Sequence, residues 1–189
     1  MTTICLVRHG ETDWNSAKRL QGRTDIPLNE TGKQQAEQTG LYLKESHWDV
    51  IISSPLTRAK QTAEIIRQHV HAPIVIMDDF IERDYGDAEG MSFEERQILY
   101  FDKQYPNMEK LEALQERLQQ GIQKVADTYP NKKVSIVAHG AAIHALLSLL
   151  SNEDVDLNHT RLVNACLNHI EWKEDKWTVH DYNVSSHLS

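Results

Sequence analysis

The strongest constraint on this chain is the alternation of short β-branched runs with long amphipathic stretches. Thr3 to Val7, Val50 to Ile52, Ile74 to Met77 and Val134 to Val137 are each too short for a helix and are bounded by polar, Gly or Pro signals. That is the pattern of parallel strands buried on both faces. Between them, Thr31 to Glu45, Leu56 to Gln68 and Leu111 to Thr128 return apolar residues every three or four positions, as helices do. Ala141 to Leu150 has the pattern of a buried helix. The expectation is an α/β fold, three-layer α/β/α, with a mostly parallel central sheet. Ala165 to Trp172 and Lys176 to Tyr182 flank Lys173-Glu174-Asp175 and predict a hairpin added at a sheet edge. With no internal repeat or linker, 189 residues predict a single domain over 1–189. The stretch 86–108 breaks the rhythm with mixed polar, aromatic and acidic residues, and is either a short lid or a surface excursion.

Charge narrows the partners. A net charge of −8 opposes long-range attraction to nucleic acid and to anionic membrane, so a bound anion must meet a locally basic pocket. No apolar run approaches the roughly 20 residues that span a bilayer, and the first residues lack a basic leader, so a cytoplasmic location is expected. Cys5 and Cys166 stand in separate apolar segments without a C-x-x-C pattern and are read as small hydrophobes in a reducing compartment.

The chemistry gathers at strand ends. The first strand ends in Arg8-His9-Gly10-Glu11-Thr12 and the fourth in Ala138-His139-Gly140, so two strands finish in His-Gly where open α/β sheets bind ligands. The second strand runs into Ser54-Pro55-Leu56-Thr57-Arg58, placing Arg58 in the first turn of a helix, either over the same crevice or paired with a surface carboxylate such as Glu64. Arg8 and Arg58 offer planar donor forks matched to phosphate or carboxylate oxygens. After the third strand, Glu82 is a candidate proton donor, although Asp78, Asp79, Asp84 and Asp87 crowd the region. A neutral imidazole can attack phosphorus in line if cations neutralise the phosphoryl oxygens. Arg8, Arg58 and a protonated His139 answer that need, while Glu82 protonates the departing alkoxide. H-E-x-x-H, a Walker loop and G-x-G-x-x-G are all missing, so no metal site or nucleotide cofactor is expected despite ten histidines.

These residues resemble the histidine phosphatase superfamily, the phosphoglycerate mutase-like proteins. The likeness rests on Leu6 to Asn15, Leu20 to Gly32, Ser53 to Ala63, Glu82 to Gly90 and Ala138 to Gly140, an ordered series across nearly the whole chain. It implies a phosphoglycerate mutase-like fold and a histidine acid-type phosphatase in which His9 is phosphorylated, Arg8, Arg58 and His139 hold the phosphoryl oxygens, and Glu82 is the acid. It also implies phosphate contact by Asn15 and substrate contacts near Gln21, Gly22, Arg83, Tyr85 and Gly140. For Arg83 and Tyr85 the alternative is a lid anchor made of one ion pair and one packed ring. The tail, Tyr182 to Ser189, resembles one that folds toward the pocket in relatives, or else frays.

Two departures bear on function. Mutases of this superfamily carry a longer, basic insert between the acid and the second histidine; here that segment is short and includes Glu89, Glu94, Glu95, Asp102, Glu109 and Glu112. Many phosphatases of the family also carry Gly-Glu-Ser where this chain has Asn107-Met108-Glu109-Lys110-Leu111. The expected activity is therefore a metal-independent phosphomonoesterase acting on a small phosphorylated metabolite through a phosphohistidine at His9, as monomer or homodimer. The alternatives are a cofactor-dependent phosphoglycerate mutase and a phosphate-binding regulatory module without turnover.

Overall fold

A computed structural model describes residues 1–151, 157 and 159–189 and is organised on one six-stranded sheet. Its strands are β1 (Thr2–Arg8), β2 (Val50–Ser53), β3 (Ile74–Ile76), β4 (Lys133–Ala138), β5 (Leu167–Lys173) and β6 (Lys176–Val184), in the spatial order β3-β2-β4-β1-β5-β6. The first four in that order pair in parallel, whereas β5 and β6 are antiparallel additions beside β1. The helices are α1 (Asp13–Ser16), α2 (Glu30–Leu43), α3 (Thr57–Val70), α4 (Phe93–Leu99), α5 (Leu111–Thr128) and α6 (Gly140–Leu150).

The three layers follow from the strand period of two. Ile4 and Leu6 of β1 point to a core shared with Leu118 and Ile122 of α5 and Ile143 and Leu147 of α6. Their neighbours Cys5 and Val7 point to the opposite core, made with Leu43 of α2 and Ala59, Ala63 and Ile66 of α3. Each strand at the centre is covered on both faces, which is why it reads as an unbroken apolar run. Each fully buried Leu, Ile or Val contributes about 1.5–3 kcal/mol of transfer free energy, so the sheet ends are held by a stiff scaffold.

The hairpin expected at the sheet edge is present. Glu174 and Asp175 form its two-residue turn with φ of 51° and 58°, the left-handed pair that suits the right-handed twist of the strands. One expectation needs correcting. β3 is not a buried strand: it lies at the sheet edge, with Val75 and Ile76 exposed by 38% and 45%. An edge strand has a partner on one side only, and its short apolar run carries no mark of that position.

The stretch 86–108 is structured rather than featureless. Ser92 and Glu95 form a reciprocal capping box at the start of α4, and Asp87 N donates to Pro106 O at 2.9 Å. No residue of α4 is buried. The tail is docked: His187 Nε2 lies 3.2 Å from Thr39 Oγ1 and 3.1 Å from Ala165 O, its ring packs on Tyr42, and Ala165 N in turn donates to His9 O at 3.1 Å. Cys5 and Cys166 are buried free thiols, each pushed up in pKa by burial. Among the described residues, no helix is long and apolar enough to cross a membrane.

Candidate active site

The sheet register brings the two His-Gly sequences together. β1 and β4 are parallel neighbours in which Arg8 faces Ala138, and His9 N donates to Ala138 O at 3.0 Å. His9 and His139 therefore leave adjacent strand ends side by side, with ring centroids 5.2 Å apart. Gly10 follows because its backbone runs against α2: a Cβ there would stand 2.4 Å from Gly32 O. Its N–H donates to Thr62 Oγ1, whose hydroxyl donates in turn to Arg58 O, tying α3 to the end of β1.

The hydrogen bonds settle which nitrogen of His9 carries the proton. Nδ1 lies 2.6 Å from Gly10 O, an acceptor only, so it carries the proton and Nε2 keeps its lone pair. Burial, then the charges of Arg58 and Arg8, hold the His9 pKa well below the usual imidazole value, and the ring is neutral at pH 7. The same causes act on His139, again led by burial. Without a bound anion His139 is therefore neutral as well. Ser54 Oγ accepts from Leu56 N, and among the described residues its O–H meets no acceptor other than His139 Nε2 at 2.7 Å; donation there puts the proton of His139 on Nδ1.

Three buried N–H donors then stand without an acceptor among the described residues: Arg8 Nε, Arg58 Nε and His139 Nδ1. A buried donor left unpaired costs about 1–3 kcal/mol, and three in one place describe a site shaped for an oxyanion. Arg58 is held in place by two carbonyls, Gly22 O at 2.6 Å and Thr24 O at 2.8 Å. Glu64 pairs instead with Arg67, so the surface-pair reading of Arg58 falls away. Burial lowers the Arg58 pKa to about 10, which still leaves the guanidinium charged at pH 7.

A cavity of about 490 Å³ opens over this floor. Arg8, His9, Asn15, Gln21, Gly22, Arg58, Glu82, Tyr85 and Gly140 all reach its wall. Asn15 Oδ1 is occupied by donors from Thr12 and Asn164, which leaves its amide N–H₂ as the group on offer. Gln21 Oε1 likewise accepts from Thr12 Oγ1 at 2.7 Å. Gly22 adopts φ +55° and lends its carbonyl to Arg58, so its part is to aim that arginine. Two expected residues lie off this wall. His139 is fully buried beside His9, and Arg83 faces an adjoining cavity, its Nε bonded to Glu109 O and its guanidinium 5.8 Å from the Tyr85 ring centroid. Burial, then the nearby Glu82 charge, pushes the Tyr85 phenol up, so it stays protonated.

Glu82 reaches the cavity from the turn after β3, and its carboxylate accepts N–H groups from Arg83, Ala141 and Ala142 at 2.8, 3.1 and 3.0 Å. It thus sits on the N-terminal turn of α6, where the helix dipole favours an anion. Three of the four aspartates that crowd it in sequence turn elsewhere: Asp79 to Lys124, Asp84 to Gly86 N, Asp87 to Asn107. Two acids of the following segment do internal work that sequence reasoning missed. Glu89 accepts from Arg23 N, Thr24 N and Tyr85 N. Glu109 receives two N–H bonds from Arg117, and Arg117 also donates to the carbonyls of Asp79, Ile81 and Glu82. That clamp holds the strip of backbone from which Glu82 projects. Ser54, Thr62 and Asn164 were also missed; they are polar residues beside the motifs, or in a late loop, with no spacing signal of their own.

Although the whole protein is acidic, the cavity wall is basic: among the described residues Arg8, Lys18, Arg19, Arg58, Arg96 and Arg161 face two carboxylates, Glu82 and Glu94. Among the described residues, no group of three or more His, Cys, Asp or Glu side chains gathers to hold a metal ion.

Comparison with known proteins agrees with this geometry. Residues 4–185 match the model of the histidine phosphatase superfamily, branch 1. The chain is 64% identical to the uncharacterized phosphatase PhoE of Bacillus subtilis, covering 100% of this chain and 98% of that protein. It is 31% identical to a metal-independent phosphoserine phosphatase of Arabidopsis thaliana, covering 100% and 84%. Among solved structures it superposes on YhfR of Bacillus stearothermophilus with a TM-score of 0.91 at 30% identity, each chain covered in full. Two adjacent strand ends that present a buried histidine pair beside buried arginines, together with these matches over nearly the whole length, make this chain a phosphatase-like member of the histidine phosphatase superfamily.

Proposed function

We propose that the protein is a metal-independent phosphomonoesterase that hydrolyses small phosphorylated metabolites through a phosphohistidine at His9. The observation that carries the reading is the pairing of an unprotonated His9 Nε2 with three unpartnered buried donors, on Arg8, Arg58 and His139. A free imidazole nitrogen beside preorganised donors supports reading them as a nucleophile and its oxyanion cradle.

In the first step the His9 Nε2 lone pair attacks phosphorus and the bond from phosphorus to the ester oxygen breaks. Arg8, Arg58, His139 Nδ1–H and the Asn15 amide take the charge on the non-bridging oxygens. Glu82 in its acid form gives its proton to the departing oxygen, which leaves as an alcohol. Water then enters, the ionised Glu82 takes one of its protons, and the resulting oxygen attacks the phosphohistidine. The P–N bond breaks, inorganic phosphate leaves and His9 is again neutral. The Glu109–Arg117 clamp keeps the carboxyl at one height above the floor, so the same group serves both steps.

Phosphate release from a panel of phosphomonoesters, with and without a chelator, tests this. The expected result is stoichiometric alcohol and inorganic phosphate, unaffected by chelation. Transfer of the phosphoryl group to another hydroxyl without free phosphate would make the protein a mutase. Tight phosphate binding without any release would make it a binding module.

A further inference from the structure

Arg58 brings charge to the floor of the site, yet among the described residues no carboxylate pairs with it directly. Its two Nη groups donate to neutral acceptors, Gly22 O at 2.6 Å and Thr24 O at 2.8 Å, and its Nε is left without one. Both carbonyls belong to one short turn, 22–24, so the set of that turn decides the set of the guanidinium.

The other side of the turn rests on a single carboxylate. Glu89 Oε2 accepts from Arg23 N at 3.0 Å, while Oε1 accepts from Thr24 N at 2.9 Å and from Thr24 Oγ1 at 2.6 Å. Gly22 adopts φ +55°, and a Cβ there would stand 2.1 Å from Glu89 Oε2, so the turn is moulded closely around the acid. Glu89 Oε2 also takes Tyr85 N at 3.0 Å, which fastens part of the cavity wall to the same anchor. One peptide unit joins the two charges: the bond between Gly22 and Arg23 points its C=O at Arg58 and its N–H at Glu89. In a trans peptide these two groups lie on opposite sides, so a cation at one end and an anion at the other polarise it in the same sense.

Burial lowers the Arg58 pKa, and the charges of Glu82, Asp25 and Glu89 work against that. Glu82 sits on the first turn of α6 and Asp25 accepts from Thr57 N and Oγ1 at the start of α3. Of the three, among the described residues, Glu89 is the one whose carboxylate accepts from the backbone of the 22–24 turn. An acid placed directly on Arg58 would neutralise the charge a phosphoryl group needs. Set one peptide unit behind, it steadies the guanidinium and leaves the charge available to the cavity.

We infer that Glu89 is a positioning residue for phosphoryl transfer, fixing Arg58 through the peptide between Gly22 and Arg23 while itself standing outside the cavity lining. This rests on the phosphatase reading and extends it to a residue that touches neither substrate nor the reacting atoms.

A double-mutant cycle with p-nitrophenyl phosphate tests it. Arg58→Gln alone should lower kcat/KM by about 10³-fold, and Glu89→Met, which keeps the length and removes both acceptors, by about 10–10²-fold. Because Glu89 acts through Arg58, adding Glu89→Met to Arg58→Gln should cost less than about twofold more. Losses that multiply in the double variant, as a general loosening of the fold would give, would overturn the inference, and so would wild-type kcat/KM in Glu89→Met. If Glu89→Met does not fold, Glu89→Gln, which retains one acceptor oxygen, runs the same cycle. A loss of about threefold or more that vanishes beside Arg58→Gln then supports the inference, and any other result overturns it. Release of p-nitrophenol by the wild type checks the phosphatase reading separately. Should that fail, the same cycle read in the calorimetric Kd for orthovanadate decides the question without turnover.

Discussion

The floor of the site and the segment that rises beside it are built on opposite plans. His9, Arg58 and His139 are exposed by 2%, 1% and 0%, and each is fixed by hydrogen bonds: His9 to Gly10 O, Arg58 to Gly22 O and Thr24 O, His139 to Ser54 Oγ. Across the cavity, α4 and the residue pair after it expose Phe93, Ile98, Leu99 and Phe101 by 54–80%. The floor draws its rigidity from the two cores that sandwich the sheet; α4 has no buried side chain and is held mainly by its own caps. Chemistry that needs atoms placed within tenths of an ångström belongs on the first kind of structure. The second kind is free to vary with the leaving group.

The most severe way to break this contrast is at the floor. His9→Ala should lower phosphate release by at least about 10⁴-fold while leaving the fold intact, measured by steady-state release and circular dichroism. Retained turnover would remove the nucleophile from the account. Glu82→Gln comes next. With alkyl phosphates, whose leaving oxygen is strongly basic, the first step should slow by about 10²–10⁴-fold, and with p-nitrophenyl phosphate far less. Equal losses on both esters would take the acid role away from Glu82.

Stability sharpens the comparison further. Ile136→Ala, in the core under the floor, should cost about 2–5 kcal/mol in denaturant unfolding, whereas Ile98→Ser on α4 should stay within about 0.5 kcal/mol. Similar costs for the two would mean that α4 is packed as the floor is.

The clamp that joins the two regions has its own signature. Burial works to raise the pKa of Glu109, but the hydrogen bonds and charge of Arg117, helped by Arg23, prevail and lower it. A depressed carboxylate pKa stabilises the fold above the unfolded value near 4.5 and loses that contribution as pH falls through the folded value. Glu109→Gln should therefore be less stable than wild type at pH 7, and the gap should narrow as the medium is taken below about pH 4. A gap independent of pH would mean that the pair is not what holds the 79–84 strip.

The smallest effect concerns the acid limb of the pH profile. His9 and His139 are both depressed by burial and by the arginines, so the neutral nucleophile survives below pH 6.5 and is lost only as pH falls further. The acid limb of kcat/KM should accordingly lie below 6.5 for the free protein.

What was legible in the sequence and what was not divides along the same line. The ends of β1 and β4 could be read because a strand period of two stops abruptly at His-Gly in both places, and Arg58 because it opens a helix after Pro55. Helix α5 was placed at Leu111 to Thr128 by its apolar period alone. Arg161 and Asn164 could not be found, since they lie in a late loop whose position is set by Asn183 and Arg8 across long stretches of chain. Nor could the use of Glu89 and Glu109 be seen: an acid run looks like a solvated surface until the donors that face it are known. The exposure of β3 was hidden for a similar reason, because edge position is decided by strand order and not by local composition.

The most direct test of the central claim is a rapid-quench single turnover with an alkyl phosphate labelled on phosphorus, followed by peptide mapping. The account predicts a transient, acid-labile and alkali-stable phosphoryl group on His9 that forms before inorganic phosphate appears and builds up when the second step is slowed. Release of phosphate with label never found on residue 9, under conditions that preserve phosphohistidine, would contradict it.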